Sequence, residues 1–209
     1  MREISLSKRL FEETKSAHEQ VESMPFILAL RNQKLSRQAY IQYLIDLKGI
    51  YQVLEEEMKH HLDHPQIKSL YEEKLNRTKH LEADLNAFAP DKMEPTQAAQ
   101  DYMLHLKNIS KSSPLLLLAH AYVRYLGDLS GGRMMKKFIQ ELFPGGHTSF
   151  YNFDELLGKE ATGARFVDYK NEWKKRLDAM DLNENQKRAL IEEAKSFEYA
   201  RKMFGTYVS

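Results

Sequence analysis

Apolar residues recur along most of this chain at intervals of three and four, the spacing of one helix face, while strict strand-type alternation is scarce. A first helix is predicted from about Ser5 to Glu22, where Leu6, Leu10, Phe11, Ala17 and Val21 share one arc. Met24-Pro25 ends it. Ser36 is placed to cap a long second helix carrying Tyr40, Leu44, Leu47, Tyr51, Leu54 and Met58, which His64-Pro65 stops. A third helix spans roughly Gln66 to Phe88, with Leu70, Leu81 and Leu85. Pro90 and Pro95 mark a loop, and Thr96 caps a fourth helix with Tyr102, Leu106 and Ile109. Ser113-Pro114 reads as N-cap and first-turn proline of a helix that ends at Pro144-Gly145-Gly146. After a looser aromatic segment, FYNF at 150–153, another helix carries Phe166, Tyr169, Trp173 and Leu177. Asn183 with Gln186 forms a capping box for a final helix to about Phe204. The expectation is an all-α fold of seven or eight helices without a sheet, in a single domain over residues 1–209.

One segment breaks this regularity. HAYVRYLGDLSGG, from His120 to Gly132, starts as a good helix and then places Gly127, Gly131 and Gly132 within six residues before RMMKKFIQELF resumes. Three interior glycines cost a helix roughly 3 kcal/mol relative to alanine, a large part of a domain's net stability of about 5–15 kcal/mol. Glycines at Gly127 and Gly131 allow two helices to cross closely, or a flat object to lie against bare backbone. A crossing needs neither Gly132 nor Asp128, the one charge inside the cluster.

Composition narrows the chemistry. There is no cysteine, so disulfides, thiolate metal sites and cysteine nucleophiles are excluded. With 31 basic and 30 acidic residues the formal charge is +1, without the basic excess of a nucleic-acid binder. The charged N-terminus has no signal-peptide core, and the longest apolar run, LLLLA at 115–119, is far too short to span a bilayer. A cytoplasmic protein without a membrane anchor is expected.

Histidine, carboxylates and tyrosine must therefore carry any metal chemistry. His18 lies on the apolar arc beside Phe11 and Thr14, and Glu22 follows one turn later, able to hold one ring nitrogen and leave the other for a metal. A satisfied core histidine or a surface His–Glu pair has the same spacing. Glu57 with His60 matches half of a di-iron Glu-x-x-His pattern, but no second copy occurs, and HHLDH at 60–64 reads as a solvated helix end. His80, His105, His120 and His147 have no ligand-like neighbours in the sequence. Tyr122, Arg124 and Asp128 can form a polar network along the glycine helix, and Lys170, Lys174, Lys175 and Arg176 form either a solvated face or a clamp for carboxylates.

Taken together, HAYVRYLGDLSGG at 120–132, TKSAH at 14–18, Tyr51 with EEE at 55–57, and IEEAKSF at 191–197 resemble the haem oxygenase family in order along essentially the whole chain. The resemblance implies an all-α fold with haem sandwiched between a proximal and a distal helix. His18 matches the axial iron ligand and Glu22 its partner. Gly127, Gly131 and Gly132 match distal glycines against the haem face, Asp128 the water-ordering aspartate, and Tyr51 and Arg124 members of its network. Lys15, Tyr122, Lys170 and Lys174 match positions around the haem propionates, and Phe197 a wall of the haem pocket. Two residues depart: Phe11 stands where some members have lysine, and Lys174 where many have arginine, which keeps the charge and loses the bidentate fork. Both bear on how haem is seated, and so on which meso carbon reacts.

The activity so implied is cleavage of haem, both cofactor and substrate, to biliverdin, carbon monoxide and ferrous iron, using O2 and electrons from NADPH through a reductase or ferredoxin partner. A non-catalytic haem carrier and a di-iron helical enzyme are the competing classes.

Overall fold

The computed structural model describes residues 4–88, 93–145, 147–159, 161–195 and 197–207; the side chains of Arg133 and Phe197 lie outside the described set. Among these residues there are eleven α-helices and no strand. Three short 3-10 turns, Glu73–Leu75, Pro114–Leu116 and Ser149–Tyr151, interrupt them. No helix among the described residues is long and apolar enough to cross a membrane.

The first helix, α1, runs Leu6–Glu22 and begins where the sequence places it. Ser5 makes no side-chain cap. The opening turn is instead satisfied by Asp178, which accepts from the Ser7 backbone N–H and the Ser7 hydroxyl, each at 2.7 Å. A carboxylate at a helix N-terminus also suits the helix dipole. α2 follows at Pro25–Arg31. The long α3, Arg37–His60, is capped by Ser36, whose hydroxyl accepts from the Ala39 N–H at 3.1 Å. Tyr40, Leu44, Leu47, Tyr51 and Leu54 on α3 are fully buried.

The single helix expected from Gln66 to Phe88 is instead α4 (Pro65–Leu70), a 3-10 turn, and α5 (Thr78–Phe88). Periodicity hides the break because apolar residues continue through it. The cause is polar. Glu55 on α3 accepts from the backbone N–H groups of Arg77 and Thr78 and from the Thr78 hydroxyl, which caps α5 from outside. The buried Arg77 guanidinium turns back onto the carbonyls of Lys74, Leu75, Asn76 and Asn152.

α6 (Gln97–Ser112) is capped by Thr96 as expected, at 3.3 Å to the Ala99 N–H. Ser113-Pro114 does not open the glycine helix directly. It opens a 3-10 turn, and α7 then runs unbroken over Leu117–Leu142, through all three glycines. α8 (Asp154–Leu157) is one short turn, and α9 spans Gly163–Asp178. The Asn183–Gln186 capping box is present, but the last predicted helix is two, α10 (Glu184–Ala194) and α11 (Phe197–Thr206).

The α3, α5 and α6 group forms one packed block. α9 and α10 each pack against both α1 and α7, holding those two helices as the walls of a cleft. Trp173, fully buried on α9, anchors that bridge. Burying such a side chain contributes on the order of 1.5–3 kcal/mol.

Candidate functional site

The cleft between α1 and α7 has a volume of about 450 Å³, within the size range of small-molecule sites. Phe11, Lys15, His18 and Glu22 come from α1, Tyr122, Val123, Leu126 and Gly127 from α7, and Lys170 and Lys174 from α9. A larger cleft of about 690 Å³ lies between α3 and α5, but Glu55, Glu56, Lys59, Lys74 and Lys79 make it a charged surface trough.

On the α1 wall, His18 Nδ1 lies 3.2 Å from Glu22 Oε1. The wheel places His18 inward, whereas its side chain is half exposed. The apolar arc of α1 divides: Leu6 and Leu10 enter the core, while Phe11, 55 % exposed, faces the open cleft with His18. Periodicity does not distinguish a face turned to the core from one turned to a pocket. A carboxylate engaging Nδ1 is the kind of partner that orients a metal-binding imidazole.

On the α7 wall, a Cβ built on Gly127 or Gly131 would meet nothing within 4 Å. The close helix crossing that two glycines four apart permit is therefore absent among the described residues, and these bare turns face open space. Gly132 behaves differently. Its added Cβ would sit 3.1 Å from Tyr151 Cδ1, so Gly132 makes room for an aromatic ring on the far side of α7 and does not face the cleft. Gly127 and Gly131 are four positions apart and Gly131 and Gly132 are adjacent, so a single helix face cannot hold all three.

Behind the glycines lies a polar network. The Tyr51 hydroxyl, from α3, donates to Asp128 Oδ2. Arg124 Cζ stands 5.5 Å from the Tyr51 ring centre. Burial raises the Asp128 carboxyl above its ordinary range, and Arg124, the Tyr51 hydrogen bond and Arg77 oppose this only in part. Burial also pushes Tyr51 well above its ordinary value, with Asp128 reinforcing the shift. Burial disfavours the Arg124 charge, but the neighbouring Tyr51 and Asp128 outweigh it and raise the guanidinium above its ordinary value. The Arg124 Nε is buried without a hydrogen-bond partner among the described residues.

At the rim, Lys170 Nζ donates to Ser130 Oγ at 2.9 Å. Burial and the neighbouring Lys174 lower the Lys170 ammonium from its ordinary value. Lys174 Nζ lies 6.0 Å from the Phe11 ring centre, so the two positions that depart from the family pattern are neighbours across the cleft mouth. Lys15 is exposed and pairs with Glu19 at 3.9 Å. Tyr122 is buried against Trp173, and burial with Asp178 pushes its hydroxyl up to about 12. The side chain of Phe197 lies outside the described residues.

A family model described as "Heme oxygenase" matches residues 4–206. The chain belongs to the haem oxygenase family. A "Heme oxygenase" of Porphyra purpurea is 36% identical over 208 residues, covering 96% of this chain and 85% of that protein. Two crystal structures from Synechocystis sp. PCC 6803 share the fold. Heme oxygenase-2 in complex with heme and NO has a TM-score of 0.91 at 30% identity, over 98% of this chain and 85% of that one. Heme oxygenase-1 in complex with heme has a TM-score of 0.89 at 29% identity, over 97% and 91%.

The residues present fit the haem of this family. The cleft offers one histidine held by a carboxylate, an apolar lining of Phe11, Val123 and Leu126, a helix backbone with space where Cβ atoms would stand, and ammonium groups at one edge. Two parts of this cleft were not singled out from sequence. Thr14 lines the cleft and donates to the Leu10 carbonyl at 2.7 Å, and Ser130 holds Lys170. Ser130 falls three residues after Gly127, on the same helix face, which is the signal that could have found it.

The histidine pattern changes in two places. His61, within the cluster read as solvated, bonds Ser110 at 2.9 Å, and Ser110 bonds Glu57 at 2.6 Å, tying α3 to α6. His105 and His120, which have no ligand-like neighbours in sequence, share Glu193.

Proposed function

We propose that the chain cleaves haem oxidatively to biliverdin, carbon monoxide and ferrous iron, with the haem held between α1 and α7. The observation that carries this reading is the open space at Gly127, on the cleft wall across from a half-exposed, carboxylate-held His18, with Gly131 one turn further along α7 equally open. Haem would supply iron for O2 activation and would itself be the substrate oxidised. His18 would be the iron ligand, Glu22 its orienting partner, and Gly127 and Gly131 the surface for the distal face. Lys15, Lys170, Lys174 and Tyr122 would receive the carboxylate edge, since lysines at a pocket rim steer anions. Gly132 would act one step back, by seating Tyr151.

Asp128 would hold the proton-transfer machinery. A carboxyl raised above its ordinary range by burial is better suited to exchange protons than an ordinary aspartate. Tyr51 fixes its Oδ2, and Arg124 supplies fixed positive charge. No cleft-facing side chain at Gly127 or Gly131 can act as a direct acid, so protons would arrive through water ordered by Asp128. Electrons would come from NADPH through a reductase or ferredoxin partner.

The test is a single turnover. The chain is loaded with one equivalent of hemin, supplied with ascorbate and O2, and followed through the Soret and biliverdin absorptions. Soret loss with stoichiometric biliverdin supports the proposal. A stable Soret band shows a haem carrier, and failure to bind hemin while holding non-haem iron shows a di-iron protein.

A further inference from the structure

A second cluster of metal-type ligands lies apart from the cleft, where α6, α7 and α10 meet. His105 Nε2 is 2.6 Å and His120 Nε2 is 2.7 Å from the same oxygen, Glu193 Oε1. The three ligand atoms lie within 4.8 Å of one another. His120 is fully buried, with side-chain exposures of 27% for His105 and 15% for Glu193, so an ion can enter from the His105 side. His120 Nδ1 is held at 2.8 Å by the Tyr102 hydroxyl, the outer partner that orients a metal-binding imidazole. Tyr199 stacks on His105 at 5.0 Å and on Tyr102 at 4.8 Å, walling the cluster.

We infer that His105, His120 and Glu193 form a site for one divalent first-row transition-metal ion. Two imidazoles and one carboxylate suit zinc, ferrous iron or cobalt, and leave room for water as a further ligand. In the metal-free state two N–H protons point at one carboxylate oxygen. Metal–ligand distances of about 2.0–2.2 Å in a tetrahedral arrangement require the N···O separations to widen by roughly 0.8 Å. Glu193 is a flexible side chain on a neighbouring helix and can supply that shift. Each ring moves its proton from Nε2 to Nδ1, so no proton is lost overall. His120 Nδ1 then donates to the Tyr102 oxygen, which can accept as readily as it donates.

The experiment uses the full, haem-free chain, freed of metal with a chelator and titrated with Co2+, then with Zn2+ in competition. Visible ligand-field absorption and calorimetry report stoichiometry, and thermal unfolding reports stabilisation, which ligand binding to the folded state requires. Wild type is expected to bind one equivalent of Co2+, displaced by Zn2+, with a raised Tm. His105→Ala, at the most exposed member, should lose both signals, and so should Glu193→Gln, with circular dichroism confirming that each variant folds. The combined variant His60→Ala, His61→Ala, His64→Ala and the variant His18→Ala should keep them. Absence of binding in the wild type, or binding that survives His105→Ala, overturns the assignment. Because no haem is present, the result stands independently of haem cleavage.

Discussion

His18 Nδ1 lies 3.2 Å from Glu22 Oε1, one turn along α1, and this contact engages one of the two imidazole nitrogens. Both side chains are half exposed or more, so the pair itself contributes little to folding. Its value lies in orientation. Glu22→Gln, which keeps a hydrogen-bond acceptor and removes the charge, should leave stability unchanged and weaken hemin binding or turnover by about 10–100-fold. Equilibrium hemin titration checks this, and an unchanged Kd and turnover would remove Glu22 from the site.

The three glycines should separate by behaviour. Gly127→Ala and Gly131→Ala place a methyl in open space, so each should raise haem-free stability by up to about 1 kcal/mol while weakening hemin binding. Gly132→Ala drives a methyl to 3.1 Å from the Tyr151 ring, so its gain in helix propensity should be cancelled or reversed. Denaturant unfolding of the three variants, with and without hemin, checks the contrast.

Asp128→Asn keeps an oxygen able to accept from Tyr51 and removes the proton-exchanging carboxyl. Hemin binding should stay near wild type, while the rate of biliverdin formation falls by about 10²-fold or more, the usual contribution of a placed acid–base group. Single-turnover kinetics checks this. An unchanged rate would show that Asp128 has no part in proton delivery.

Lys170 gives a pH dependence with a defined sign. Its ammonium is lowered from 10.5 by burial and by Lys174. A bound carboxylate favours the charged form and raises it again, so binding takes up a proton once the pH passes the lowered value. Hemin affinity should therefore fall as pH rises through that range, below 10.5. Lys170→Gln should bind more weakly at pH 7 and lose this alkaline decline. Hemin titrations from pH 7 upward check both.

Much of this was legible in the chain, and the exceptions share a cause. Caps at Ser36, Thr96 and Asn183 depend on residues one turn away and appear where the sequence puts them. The break before α5 and the start of α1 depend on Glu55 and Asp178, which lie 22–23 and 171 residues away, and no local pattern announces them. The site divides the same way. His18 with Glu22 is an i,i+4 motif and was readable; the Tyr51–Asp128 bond joins two helices, and only resemblance pointed to it. Gly132 is readable as a member of a glycine cluster, but its role depends on Tyr151, from a turn beyond the end of α7. His105, His120 and Glu193 come from three helices and have no sequence signal at all.

In the proposed function, His18 holds haem iron in the cleft between α1 and α7. This claim is tested most directly by titrating His18→Ala with hemin and recording the ferric spectrum before and after adding imidazole. The predicted result is loss of the wild-type six-coordinate spectrum, with imidazole restoring it together with part of the turnover. A variant that retains the wild-type spectrum without imidazole would contradict the claim.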